Sequence, residues 1–336
     1  MKIISKYVFC FFALIIYSGF LFAQLPNNLS TSVLETIKKL QTNPTPENLA
    51  EVRKIGFLLL GEGKFQDAES VFNQILAKSP NDALSLYGKA VGLFNTKQLS
   101  AAEVEVSKAN NLFNQQKNYQ SLADGLVLSA VISAVSGDNA AAIVKLKKAV
   151  ELVPNHFDAN FSLGRAFFGS GDLIGAIDAF RVALKVQPQN IKANFFLATA
   201  LERNGDNENA LAAYRNLIKI APNVVDGYLG LGVLLTKTEG FDSSEGFRNL
   251  QRAIQINPNI YEAQISLGKT LLQQNKPDAA LIYLQKAVEL LPDNPEPHYQ
   301  LLQVFRKLGK KSEADAEQAI IKMIHEKHRG SSSAPR

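Results

Sequence analysis

The chain has 336 residues, 46% hydrophobic and 20% charged, with a formal net charge of +5. Those totals exclude a disordered chain, which has too little apolar surface to fold. They also exclude a strongly basic nucleic-acid binder, because Lys and Arg are interspersed with Asp and Glu; Lys2 and Lys6 carry two of the five charges, and 5 − 2 leaves +3.

The first predicted element is a leader. Lys2 and Lys6 precede an apolar run from Tyr7 to Phe22, which ends at Leu21-Phe22-Ala23. This layout is that of a secretory signal peptide, with cleavage expected after Ala23 and a periplasmic or secreted product. The alternative is an uncleaved membrane anchor over residues 7–22, although the run is short for a span. Cys10, the one cysteine, lies inside the leader. The processed chain therefore has no disulfide, no thiolate metal ligand and no cysteine nucleophile. Residues 24–48 follow as a capping segment, in which Ser30–Gln41 reads as a short helix.

From there the chain repeats. Pro154, Pro188, Pro222, Pro258 and Pro292 are spaced by 34, 34, 36 and 34 residues, and Pro80 to Pro154 is 74, or two periods of 34 plus 6. Each proline stands where a helix must stop. Small residues return in one column as Gly56, Ala90, Ala130, Gly164, Ala198, Gly232 and Gly268. A second column runs Ala68, Ala102, Ala142, Ala176, Ala210, Gly246 and Ala280. A third, Ala109, Ala149, Ala183, Ala253 and Ala287, is broken by Ile75 and Leu217. Large residues return as Phe72, Leu146, Phe180, Tyr214, Leu250 and Leu284, and Gly63, Gly137, Gly171 and Gly205 occupy a turn column. A fixed period of this size means stacked helix pairs, with small residues where helices cross. On this reading Gly164 lies against Ala176.

The stretch Asn160-x2-Leu163-Gly164-x2-Phe167, Ala176-x3-Phe180, Pro188 resembles the tetratricopeptide repeat, W-x2-L-G-x2-Y, A-x3-F, P in 34 residues. Gln264-x2-Leu267-Gly268-x2-Leu271, Ala280-x3-Leu284, Pro292 resembles it again, and the tryptophan is absent throughout. The resemblance implies an all-α, right-handed superhelical solenoid of about eight helix-turn-helix repeats over 49–328. The units are 49–82, 83–122, 123–156, 157–190, 191–224, 225–260, 261–294 and 295–328. The second unit carries extra residues around 110–121, as a longer second helix or a loop. The sixth carries two around 236–243, placed in its inter-helix turn. Gln318 and Ile321 depart from their columns and mark a cap, and residues 329–336 read as a disordered tail.

No catalytic, metal or cofactor site is expected. His325 and His328 are one helical turn apart without a third ligand nearby, and His156 and His298 read as turn or surface residues. "GYLGLG" (227–232) follows no strand and belongs to a helix, and no phosphate loop or nucleophile elbow occurs.

The resemblance implies a non-enzymatic protein-interaction scaffold, with a partner peptide or protein in a groove lined by the first helices. Three columns of those helices are legible: Arg53, Tyr87, Val127, Phe161, Phe195, Leu229, Ile265, Tyr299; then Phe57, Val91, Val131, Arg165, Thr199, Val233, Lys269, Gln303; then Leu60, Phe94, Ala134, Phe168, Glu202, Thr236, Leu272, Arg306. The Lys-then-Asn pair that resembles the family's chaperone-tail clamp is missing. Phe57, Leu60, Tyr87, Val91, Phe94, Val127 and Val131 make one half apolar, either as packing or as the seat of an apolar segment. Arg165, Lys192, Arg203, Lys269 and Arg306 make the other half polar. That half carries the alternative function, a structural or carrier role in envelope polysaccharide export with an anionic polymer in the groove. Glu202, Asp226, Glu262 and Glu296 oppose a simple anion track. No cofactor or nucleic acid is expected, no membrane unless the leader stays, and a homodimer through the end units is left open.

Overall fold

The computed structural model describes residues 42–240 and 243–332, with side chains as far as Arg329. The leader with Cys10, the helix expected over 30–41, Phe241, Asp242 and residues 333–336 lie outside the described residues.

The described residues form sixteen α-helices and no strand. They are α1 (Pro46–Gly61), α2 (Phe65–Lys78), α3 (Ala83–Asn95), α4 (Leu99–Gln115), α5 (Tyr119–Val135), α6 (Asn139–Leu152), α7 (Phe157–Ser170) and α8 (Leu173–Val186) in a first compact unit that ends at Gln187. A second unit, from Pro188, holds α9 (Ile191–Arg203), α10 (Asn207–Ile220), α11 (Val225–Thr238), α12 (Ser244–Ile256), α13 (Tyr261–Gln273), α14 (Pro277–Leu290), α15 (Pro295–Lys307) and α16 (Lys311–Ser332). Each unit contains four antiparallel pairs, and together they match the eight repeats read from the sequence.

Within each unit every helix packs on the next, and the first helices of successive pairs also touch one another: α1 on α3, α3 on α5, α5 on α7, then α9 on α11, α11 on α13 and α13 on α15. The first helices thus form the inner row of each unit.

Short polar residues start the helices. Asp82, Asn118, Asp138, Asp172, Asn190 and Asp206 each accept a hydrogen bond from the backbone N–H three residues on. The turns inside the pairs are left-handed: Gly171 has φ +87° and Gly205 φ +82°. In two pairs a non-glycine residue takes that place, Lys97 at φ +64° and Asn275 at φ +58°. The extra residues near 110–121 lengthen helices instead of forming a loop. α4 and α5 have 17 residues each, and Lys117, at φ +54°, turns the chain between them without a proline. In the sixth pair α11 ends at Thr238 and α12 begins at Ser244, and the extra residues expected around 236–243 fall partly outside the described residues. α16 runs on to Ser332, past the boundary expected at 328.

The small columns are buried as expected, and in the sixth pair they meet: a Cβ on Gly246 would lie 3.4 Å from the Gly232 carbonyl oxygen. The nearest neighbour of the first column is a large side chain, for a Cβ on Gly164 would stand 2.7 Å from the ring of Phe180, four residues beyond Ala176 on the same helix. Gly56 faces Phe72, Gly232 faces Leu250, and Gly268 faces Leu284 in the same way. This fit has a simple cause. The large residue of the second helix is the knob and the missing side chain of the first helix is the hole, so the two columns are complementary in volume. Leu217 breaks the third small column, and Gly227 on the following helix leaves the room: its Cβ would lie 3.4 Å from Leu217.

Candidate binding face

Unit 1 carries the apolar columns. On α1, the guanidinium of Arg53 grips Asp82 with two hydrogen bonds, one of them Nε to Oδ1 at 3.1 Å, and Asp82 also caps α3. Such a bidentate pair, largely removed from water, fixes the first helices of neighbouring pairs to each other. One turn along, Phe57 sets its ring edge-on to Phe72 with centroids 5.2 Å apart. Leu60, Tyr87, Val91 and Val127 are buried, whereas Phe57, Phe94 and Val131 remain partly exposed. The apolar row therefore has a buried floor and a partly exposed rim.

Farther along unit 1, Phe161 stacks on Phe157 at 5.7 Å and tilts against Phe180 at 5.9 Å. The Arg165 guanidinium stands 6.0 Å from the Phe161 ring, and burial pushes its proton affinity down. Asp158 is raised from an ordinary 3.8 to about 6, first by burial and then by the neighbouring Asp124 carboxylate, against the lowering effect of His156. Neither His156 nor His298 is the surface residue the sequence suggested: both are buried. The Nδ1 atom of His156 accepts from the Ala159 N–H at 3.2 Å, and Nε2 faces Asp124 Oδ1 at 2.9 Å, so the ring caps α7.

Unit 2 carries the polar columns. Lys192, Arg203 and Arg306 are exposed. Lys269 pairs with Glu296 on the next first helix at 3.0 Å, and Arg306 reaches Gln318 at 3.4 Å. Glu202 accepts from the Tyr214 hydroxyl at 2.7 Å. Cations and carboxylates interleave on this face, and the Lys269–Glu296 pair closes a salt link where a continuous anion track would run. Arg165 belongs to unit 1 and the other four cations to unit 2, so the five do not form one site within either unit.

Two features escaped the sequence reading. The first is a donor column at the position of the family's tryptophan. Asn160, Asn194, Gln264 and Tyr228 each donate to the carbonyl of the proline six residues earlier, at 2.8, 2.9, 2.8 and 3.2 Å, and the His298 Nε2 faces Pro292 O at 3.2 Å. The signal was present as a fixed offset from each proline, hidden by four different side-chain types. The second is on the second helices, where Val104, Val144 and Ile282 project outward, 53%, 68% and 68% exposed, two residues after the alanines of the second small column. Among the described residues no three His, Cys, Asp or Glu side chains converge as a metal set, and no helix is long and apolar enough to cross a membrane.

Three tetratricopeptide repeat family models match the chain, at residues 59–124, at 134–191, 170–225 and 195–239, and at 261–304. No curated protein matches the sequence. Among solved structures, the C-terminal part of a TPR repeat-containing protein from Cytophaga hutchinsonii superposes with a TM-score of 0.60 at 17% identity, covering 74% of this chain and 99% of that one. PilF of Pseudomonas aeruginosa gives 0.53 at 14%, covering 64% and 99%. A chain of the APC/C hetero-tetramer Cut9–Hcn1 gives 0.52 at 15%, covering 81% and 52%. At these identities the likeness speaks for the fold alone. The helix pairs, the glycine-under-aromatic joints and the 34-residue period agree with matches that run from residue 59 to residue 304, and the chain belongs to the tetratricopeptide repeat family.

Proposed function

We propose that the protein is a non-enzymatic scaffold, exported by its leader, that holds an apolar segment of another protein against the inner row of unit 1. The observation that carries the reading is the rim of Phe57, Phe94 and Val131, partly exposed above a buried floor of Leu60, Tyr87, Val91 and Val127. Apolar anchors at the regular spacing of successive first helices suit the alternating faces of an amphipathic helix or an extended segment. The polar face of unit 2 supports this choice indirectly, because its Lys269–Glu296 pair already satisfies a cation that an anionic polymer would need.

Crosslinking with residues 24–336 in an envelope extract of the source cells, beside the Phe57→Glu/Phe94→Glu variant checked for intact helicity, tests the reading. A partner captured by the parent and lost by the folded variant is the expected result. Equal capture by both rejects the unit 1 site. Export is tested separately, by the mature N-terminus: mass spectrometry should find Gln24 first in the envelope fraction.

A further inference from the structure

The two buried histidines differ in what their nitrogens face. In His156, Nδ1 accepts from a backbone N–H and Nε2–H donates to Asp124, so a neutral ring satisfies both contacts. In His298, on α15, both nitrogens face oxygen acceptors: Nδ1 lies 2.6 Å from Glu317 Oε2 on α16, and Nε2 lies 3.2 Å from the Pro292 carbonyl. His298 is 4% exposed and the Glu317 side chain 13%, so water cannot substitute freely for a missing donor.

We propose that the His298–Glu317 pair is a proton-dependent latch that holds the terminal helix α16 to the last pair of unit 2. Both contacts form only while the pair holds one proton beyond a neutral ring and an ionised carboxylate. That proton sits either on the ring, as an imidazolium donating from both nitrogens, or on Glu317, donating to Nδ1 while Nε2–H donates to Pro292. When it leaves, one ring nitrogen turns a lone pair towards an oxygen. In the four earlier pairs the donor to the proline carbonyl is Asn160, Asn194, Tyr228 or Gln264, and none of these side chains is an imidazole. The last pair alone has a donor of that kind, and it alone ties its staple to the cap.

The charged and titratable groups around it are otherwise engaged, and on α16 itself the His325 Nε2 atom lies 2.9 Å from the Tyr299 hydroxyl of α15. On α15, Glu296 pairs with Lys269 of α13; on α14, Lys286 pairs with Glu289; Asp293, in the connection before α15, pairs with Lys327 of α16. From α13, Tyr261 accepts from Asn294 through its hydroxyl. Glu317 is therefore the charged group hydrogen-bonded to the ring. The sign follows: a contact that requires the bound proton is present at low pH and lost as pH rises. Loosening α16 would uncover Leu301, Leu302 and Phe305 of α15, beside Ile321, the apolar layer that a further repeat would cover in a longer array.

Amide hydrogen exchange on the full chain tests this between about pH 5 and pH 9. Rates are corrected for intrinsic exchange and referred to amides of α13. Protection of amides 314–324 should fall by about tenfold on raising the pH, as expected for losing one charge-assisted hydrogen bond. In H298Q the glutamine donates to Pro292 at every pH, as Gln264 does to Pro258, and the curve should be flat. In E317Q the amide donates to Nδ1 without the extra proton, and the curve should again be flat, with α16 still protected. A flat curve in the parent overturns the latch, as does a fall of equal size in either variant. If H298Q does not fold, E317Q decides the question alone; if neither folds, the parent curve decides it.

Discussion

Volume complementarity between two columns explains the joints at the level of single residues. Gly56 and Gly164 stand opposite Phe72 and Phe180, while Ala90 and Ala130 belong to pairs whose second helices carry Val106 and Leu146. Both phenylalanine knobs thus stand over glycine, as the leucine knobs Leu250 and Leu284 also do. Gly164→Ala should destabilise the protein by about 1–3 kcal/mol through overpacking, read from the shift in urea midpoint. Adding Phe180→Leu should recover part of that loss, giving a coupling term in a double-mutant cycle. Asp158 supplies a second residue-scale prediction. Its carboxyl is held near 6 against an ordinary 3.8, so keeping it ionised above that value costs stability that is not lost below pH 4. Asp158→Asn should raise stability at pH 7 by about 1 kcal/mol, after discounting for solvent screening, and should leave it unchanged at about pH 3, below both values. An equal gain at both pH values would contradict the burial argument.

The repeat period and the cap and turn residues made the succession of helix pairs legible, and the described helices fall into eight pairs. Two things stayed hidden for physical reasons. The run Asn110–Ser121 contains neither glycine nor proline, so the break between α4 and α5 at Lys117 left no composition signal. A left-handed lysine costs about 1 kcal/mol relative to glycine, and Lys117→Gly should stabilise by up to about 1 kcal/mol, with Asn275→Gly giving less because Asn tolerates that region. Thermal unfolding of the two variants checks both. The binding columns were legible too, since period alone identifies which residues recur on the inner row. How deep each one lies was not: Tyr87 and Phe94 belong to the first and third columns of one helix, yet Tyr87 is buried and Phe94 is not. Depth depends on the helices packed above and beside a position, which a column of letters does not contain.

For the molecule as a whole, the described residues divide into two units of four helix pairs, each with more pairs than the three or so a repeat array needs to bury a continuous core. Residues 42–187 and 188–336, expressed separately, should each be helical and unfold cooperatively; circular dichroism through urea titration checks this. A unit without a cooperative transition would show that its core depends on the other. The outward Val104, Val144 and Ile282 are scattered single residues of the kind folded proteins tolerate on their surface, and they ask for no partner.

The contact from residue 160, 194, 228, 264 or 298 back to a proline carbonyl joins five pairs in the same way through four kinds of side chain. Parts that meet through a common coupling can be exchanged. Deleting residues 154–187 would bring Pro188 and Asn194 into the places of Pro154 and Asn160, shortening the array by one pair with the coupling intact. The stretch from Asn81 to Val153 contains no proline, so its joints are made without that coupling. From Pro154 onward one interchangeable fitting recurs, and before it each joint is made in its own way.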